Sequence, residues 1–112
     1  APVSFADIPA GVSRALEHLE ENFADPVSPS SLAKQSGLSP SRFARLVKRI
    51  FGITPSQLIG KTRLAAASVM LRETDRTVAD IALDCGFFDH SAFTRAFRSA
   101  TGLTPTQFRA AR

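Results

Sequence analysis

Two segments of this sequence place arginines and small polar residues on one face of a helix. Apolar residues recur at helical spacing and predict a buried stripe formed by Phe43, Leu46, Val47 and Ile50, and by Phe93, Ala96, Phe97 and Ala100. The opposite faces consist of Ser41, Arg42, Ala44, Arg45, Lys48 and Arg49, and of Ser91, Ala92, Thr94, Arg95, Arg98 and Ser99. Small residues allow close approach, and arginine can bind guanine or phosphate. Both faces therefore suit the major groove of DNA.

Two other interpretations of these faces stay open at this point. Each could be an ordinary solvated helix face, although such a face usually mixes acidic with basic residues and neither segment contains a carboxylate. Each could instead dock on an acidic protein, an alternative that exposed hydrophobic residues would favour. The outward positions of both segments contain none.

Residues that perform acid–base, nucleophilic or metal chemistry are not grouped in this chain. The single cysteine, Cys85, excludes an internal disulfide, and His18 lies far from His90, so no metal site is expected. His90 has one neighbouring carboxylate, Asp89, and we interpret it as a DNA-contacting or helix-starting residue rather than a general base. A phosphate-binding glycine loop is also missing from the sequence. We expect no enzymatic activity, no cofactor, and an inert Cys85 in the core.

The elements that position the two faces come from an internal repeat. Residues 32–58 and 81–108 align with a shift of 49 before the turn, as for Gly37 and Gly86. They align with a shift of 50 after it, as for Arg45 and Arg95. The second copy therefore has one more residue in its turn.

Each copy predicts a helix, a turn and a second helix. Gly37 and Gly86 stand where a left-handed backbone conformation closes the first helix. Ser39 and Asp89 are suitable N-caps for the second. The second helices are expected over residues 40–51 and 90–101.

The rest of the chain completes an all-α fold of seven helices, similar to homeodomains. We expect a linker stub (1–8), two helix-turn-helix subdomains of three helices each (9–53 and 75–112), and a long linker helix between them (54–74). A helix of about 20 residues is about 30 Å long, close to the roughly 34 Å between successive major-groove openings. The two second helices could thus reach adjacent grooves.

Charge is distributed unevenly along the 112 residues, whose net charge is +4. Residues 1–30 hold one basic and five acidic side chains, whereas residues 31–112 hold 13 basic and five acidic ones. Residues 42–49 and 91–112 each carry four positive charges and no acid, as expected for a chain that binds a polyanion. Without a signal-peptide pattern or a long apolar run, we expect a cytoplasmic location and no membrane association.

Residues 86–98, GFFDHSAFTRAFR, followed by residues 102–109, GLTPTQFR, resemble the signature of the arabinose-regulator (AraC/XylS) family of bacterial transcription regulators. The resemblance extends over residues 10–110. It implies sequence-specific binding of double-stranded DNA, with residues 40–51 and 90–101 as reading helices. It also implies RNA polymerase as a partner, activation of transcription, and an effector-sensing or dimerising domain outside this chain. The isolated domain is expected to be monomeric.

The resemblance assigns DNA contacts to the outward positions early in each reading helix. These positions are Ser41, Arg42, Ala44, Arg45, Lys48, His90, Ser91, Ala92, Thr94, Arg95 and Arg98. Arg45 and Arg95 are the leading candidates for base contacts. Ala44 and Ala92 depart from the family pattern, because alanine can contact a thymine methyl group but cannot read a hydrogen-bond pattern.

Overall fold

A computed structural model describes residues 8–112, which form α-helices without a β-strand. The helices are α1 (Ala10–Asn22), α2 (Pro29–Ser36), α3 (Pro40–Phe51), α4 (Pro55–Glu73), α5 (Val78–Asp84), α6 (His90–Thr101) and α7 (Pro105–Ala110). Over residues 8–112 the all-α prediction with seven helices is confirmed. Apart from Ile8, the predicted linker stub lies outside the described residues.

The chain divides into two compact units, each with one copy of the repeat. The first unit ends at Ile59 and the second begins at Gly60. The first contains α1 to α3, and the second contains α5 to α7. The long helix α4 starts in the first unit and continues in the second.

Local sequence explains where the helices begin and end. The Ser39 hydroxyl accepts a hydrogen bond from the Arg42 N–H, and Pro40 takes the first position of α3, where its missing N–H costs nothing. Gly37 closes α2 with a φ of 76°, a conformation that residues with a Cβ rarely adopt. The predicted starts of α3 and α6 agree with the structure, because each helix follows an N-cap residue, Ser39 or Asp89, whose side chain accepts a backbone hydrogen bond.

The core of the first unit lies between α1, α2 and α3. Phe43 and Val47 of α3 are buried against Val12 and Leu19 of α1 and against Leu32 of α2. Burying a side chain of this size contributes about 1.5–3 kcal/mol. The two residues fix the rotation of α3 about its axis and so decide which of its side chains face outward.

A chain of aromatic rings forms much of the core in the second unit. Phe93 lies 5.0 Å from Phe87 and 5.6 Å from Phe97, measured between ring centroids, and Phe97 lies 5.1 Å from Phe108 of α7. Such tilted and edge-on pairs add stabilisation beyond the area that they bury. Cys85 is also buried here, as predicted, and its burial, together with the nearby Asp84 carboxylate, raises the pKa of its thiol to about 11.

Ala100 departs from the predicted buried stripe of α6. It is exposed, whereas Ile50 at the matched position of α3 is half-buried. The single methyl group of alanine does not extend as far towards the core as an isoleucine side chain.

The last residues of the chain bind the C-terminal end of α4. Arg109 Nε donates to the Leu71 carbonyl at 3.2 Å, and Arg109 Nη2 donates to the Thr74 carbonyl at 3.2 Å. Arg112 Nη1 donates to the same two carbonyls, and Arg112 Nη2 pairs with Asp75 at 2.8 Å. These bonds satisfy carbonyl groups that have no partner within the helix. They also lower the pKa of Asp75, because Arg112 donates a hydrogen bond to its carboxylate.

Among residues 8–112, no helix combines the length and the hydrophobicity that crossing a bilayer would require.

Candidate DNA interface

The outward face of α3 presents a row of positive charges. Ser41, Arg42, Arg45 and Lys48 are exposed, and Ala44 is half-buried beside the core residue Phe43. The helix contains no acidic residue, so no carboxylate on α3 neutralises these charges. The face therefore attracts a polyanion.

Three arginines of α3 border a shallow groove of about 490 Å³. Its lining residues are Arg42, Arg45, Leu46 and Arg49. Arg49 is exposed and belongs to the outward face predicted from helical spacing, although the resemblance did not assign it a DNA contact. The groove shows that Arg49 shares one side of α3 with Arg42 and Arg45.

Lys48 has a second possible role. Its Nζ donates to the carbonyl of Gly52, the C-cap residue of α3, at 3.1 Å. A cation there interacts favourably with the negative end of the helix dipole. Lys48 is exposed, so its ammonium can exchange this contact for a phosphate oxygen.

The outward face of α6 is less densely charged. His90, Ser91, Arg95 and Arg98 are exposed, whereas Ala92 and Thr94 are half-buried. Asp89 precedes the helix, and its Oδ1 accepts a hydrogen bond from the Ala92 N–H at 2.7 Å. This carboxylate is therefore engaged at the start of the helix, and α6 itself contains no acid.

The basic segment 91–112 is only half available to a ligand, and this corrects the interpretation of its charge. Arg109 and Arg112 bind the carbonyls at the end of α4, because a helix C-terminus offers unpaired acceptors of negative character. Arg95 and Arg98 are its remaining charges. All eleven predicted contact residues lie on α3 or α6, whereas these two arginines lie apart from both helices.

The exposed large hydrophobic residues among the described residues lie outside α3 and α6. They are Val69, Leu83, Phe88 and Leu103. The outward faces of α3 and α6 thus lack the apolar surface that docking on an acidic protein would favour.

Comparison with known proteins identifies the domain type. A family model described as a helix-turn-helix domain matches residues 32–111. A Chromobacterium violaceum transcriptional regulator with an AraC-type DNA-binding domain superposes with a TM-score of 0.84 at 30% identity, covering 89% of both chains. The chain belongs to the AraC family of DNA-binding domains. The DNA-binding domain of AdpA, solved in complex with a target DNA, is 25% identical to this AraC-family domain, with a TM-score of 0.87 and coverage of 92% and 93%.

A curated relative of this AraC-family domain is considerably longer. The transcriptional activator RhaS of Escherichia fergusonii is 34% identical over 103 residues, which are 92% of this chain and 37% of that protein. The AraC-family chain thus corresponds to the DNA-binding part of a family of transcription regulators, and it spans little more than a third of that relative.

Proposed function

We propose that this domain recognises specific sequences in double-stranded DNA by placing α3 and α6 in adjacent major grooves. The observation that carries the proposal is the matched position of Arg45 and Arg95. Each is exposed and lies two residues after a buried phenylalanine, Phe43 or Phe93, that fixes the rotation of its helix. Because the two arginines occupy matched positions on helices without acidic residues, each helix can recognise bases in its own groove.

The residues on these helices divide into three roles in this proposal. Arg45 and Arg95 donate to guanine, with Ser41, His90, Ser91 and Thr94 close enough to add polar contacts to bases or phosphates. Arg42, Lys48 and Arg98 bind phosphates and set the position of each helix. Ala44 and Ala92 allow close approach and can contact a thymine methyl group. The first unit therefore contributes more of the electrostatic affinity.

The proposal extends to the whole protein of which this chain forms the DNA-binding part. We assign residues 9–53 and 75–112 to the two helix-turn-helix subdomains and residues 54–74 to the helix that links them. The whole protein activates transcription in the cytoplasm through contact with RNA polymerase. An effector-sensing or dimerising domain outside these residues regulates it, and the isolated domain binds as a monomer without enzymatic activity.

Selection of bound sequences from random duplex DNA tests the proposal. We expect two short conserved boxes separated by about one helical turn, roughly 10–10.5 base pairs between centres. A single box would mean that only one helix reads sequence. Recovery of no common sequence would contradict specific recognition.

A further inference from the structure

Phe88 is the additional residue of the second repeat. In the first turn, the Leu38 N–H donates to the Ala33 carbonyl at 3.3 Å, and Ser39 then caps α3. In the second turn, the Phe87 N–H donates to the Ala82 carbonyl at 3.0 Å, but Asp89 rather than Phe88 caps α6. Leu38 thus corresponds to Phe87 and Ser39 to Asp89. Phe88 has no counterpart between them.

The ring of Phe88 is almost completely exposed. Its relative exposure is 89%, against 61% for Leu83, the next most exposed large hydrophobic residue in the described part of the chain. The adjacent Phe87, by contrast, packs against Phe93 with ring centroids 5.0 Å apart. Covering an exposed aromatic ring with another apolar group lowers the free energy, because apolar surface is removed from water.

The backbone next to Phe88 is held at the start of α6. Phe88 precedes Asp89, which is held in an extended conformation (φ −157°, ψ 178°) by its hydrogen bond to the Ala92 N–H. The exposed residues His90 and Ser91 follow in the first turn. The first turn of a reading helix is the part that contacts base edges in helix-turn-helix proteins. Phe88 therefore lies at the end of α6 that approaches the bases.

We infer that Phe88 packs against the methyl group of a thymine at the edge of the box read by α6. This inference rests on the proposed function. The thymine methyl is the apolar group that base pairs display in the major groove, and phenylalanine is one of the side chains that contact it. Arg95 and Arg98 on the same helix attract DNA, which favours this occupant over an apolar protein surface. The second unit thus compensates for its lower charge with an apolar contact from a residue that has no counterpart in the first unit.

Replacement of thymine by uracil, which lacks only the methyl group, isolates this contact. Binding is measured for the selected duplex and for duplexes with uracil at each thymine of the α6 box in turn. For the wild-type domain, one position should weaken binding roughly fourfold, which corresponds to ~0.8 kcal/mol for one buried methyl group. F88A should weaken binding of the thymine duplex by at least this factor and lose the response to uracil at that position. F88L should retain part of it.

L83A provides the matched control, because it also removes an exposed hydrophobic side chain but from α5. It should bind both duplexes like the wild type, and thermal unfolding should show that F88A folds normally. Equal weakening of F88A on thymine and uracil duplexes would overturn the assignment in favour of a sugar–phosphate contact. Unchanged binding by F88A would also overturn it and would indicate that the ring contacts a protein partner instead of DNA. A wild-type domain that prefers no sequence would instead contradict the proposed function itself.

Discussion

Arg109 donates two hydrogen bonds at the C-terminal end of α4, from Nε to the Leu71 carbonyl and from Nη2 to the carbonyl of Thr74, the residue after the helix, each at 3.2 Å. These bonds join Arg109 to residues that lie 38 and 35 positions earlier in the sequence, so that α7 packs at the end of α4. The planar guanidinium can bond two carbonyls at once, which an ammonium group cannot do with the same geometry. Arg109 therefore has a structural partner within the second unit.

Replacing Arg109 should lower stability rather than the electrostatic part of DNA binding. Arg109→Ala removes two hydrogen bonds while Arg112 still donates to both carbonyls, and one hydrogen bond from a charged group contributes about 1.5–3 kcal/mol. We expect a loss of that order in the free energy of unfolding, measured by urea titration. The salt dependence of DNA affinity should stay unchanged.

Arg98→Ala is the matched control for Arg109, since Arg98 is exposed on α6. It should leave stability within about 0.5 kcal/mol of the wild type. It should also reduce the slope of log affinity against log salt by about 0.9 if Arg98 contacts a phosphate. The reverse pattern for the two variants would contradict this division of charge.

Lys48→Ala distinguishes a phosphate contact from a helix cap. A phosphate contact predicts weaker binding of all DNA sequences alike and a salt slope lower by about one. If the bond from Nζ to the Gly52 carbonyl is instead the whole role of Lys48, the variant should lose stability with no change in slope. Fluorescence titrations at several salt concentrations, together with thermal unfolding, separate the two results.

The sequence allowed the helices that carry the site to be predicted closely, because their ends depend on local chemistry. Ser39 and Pro40 start α3, and Gly52 ends it with a φ of 76°, so each end is set by the residues that stand at it. The repeat then predicted the matching start and end of α6. The buried positions of Phe43 and Phe93 followed from helical spacing for the same reason.

Features that depend on distant contacts were not predictable in this way. Arg109 and Arg112 resemble any other basic residues near a chain end until α7 is placed beside the end of α4. The exposure of Phe88 was not predicted, because a Phe-Phe pair alone does not reveal which ring turns inward. The extra residue in the turn was the available signal, and only the capping hydrogen bonds identify it.

Two glycines should respond in opposite ways to alanine substitution. A Cβ on Gly11 would lie 2.3 Å from the Ser36 carbonyl oxygen, so α1 and α2 would have to move apart, whereas a Cβ on Gly60 meets nothing within 4 Å. We expect Gly11→Ala to destabilise by about 1–3 kcal/mol. Gly60→Ala, inside α4, should stabilise by roughly 0.5–1 kcal/mol. Equal effects in urea unfolding would show that the close approach of α1 and α2 is not maintained in solution.

Cys85 should react slowly with alkylating reagents while the domain is folded. Its side chain is buried, and the raised pKa of about 11 leaves little thiolate at pH 8. Reaction then requires opening of the second unit, so Arg109→Ala should accelerate alkylation by roughly ten- to a hundredfold, in line with its loss of stability. Mass spectrometry of time points measures the rate. Rapid alkylation of the native wild type would contradict the buried position.

The most direct test of the account measures which box each arginine reads. Sequence selection is repeated with Arg45→Ala and with Arg95→Ala, using Arg72→Ala, an exposed arginine on α4, as the control. Each reading-helix variant should lose on the order of 1–3 kcal/mol of binding free energy and relax preference in a different box, while the control keeps both boxes. Unchanged affinity and unchanged boxes in both reading-helix variants would contradict base recognition by Arg45 and Arg95.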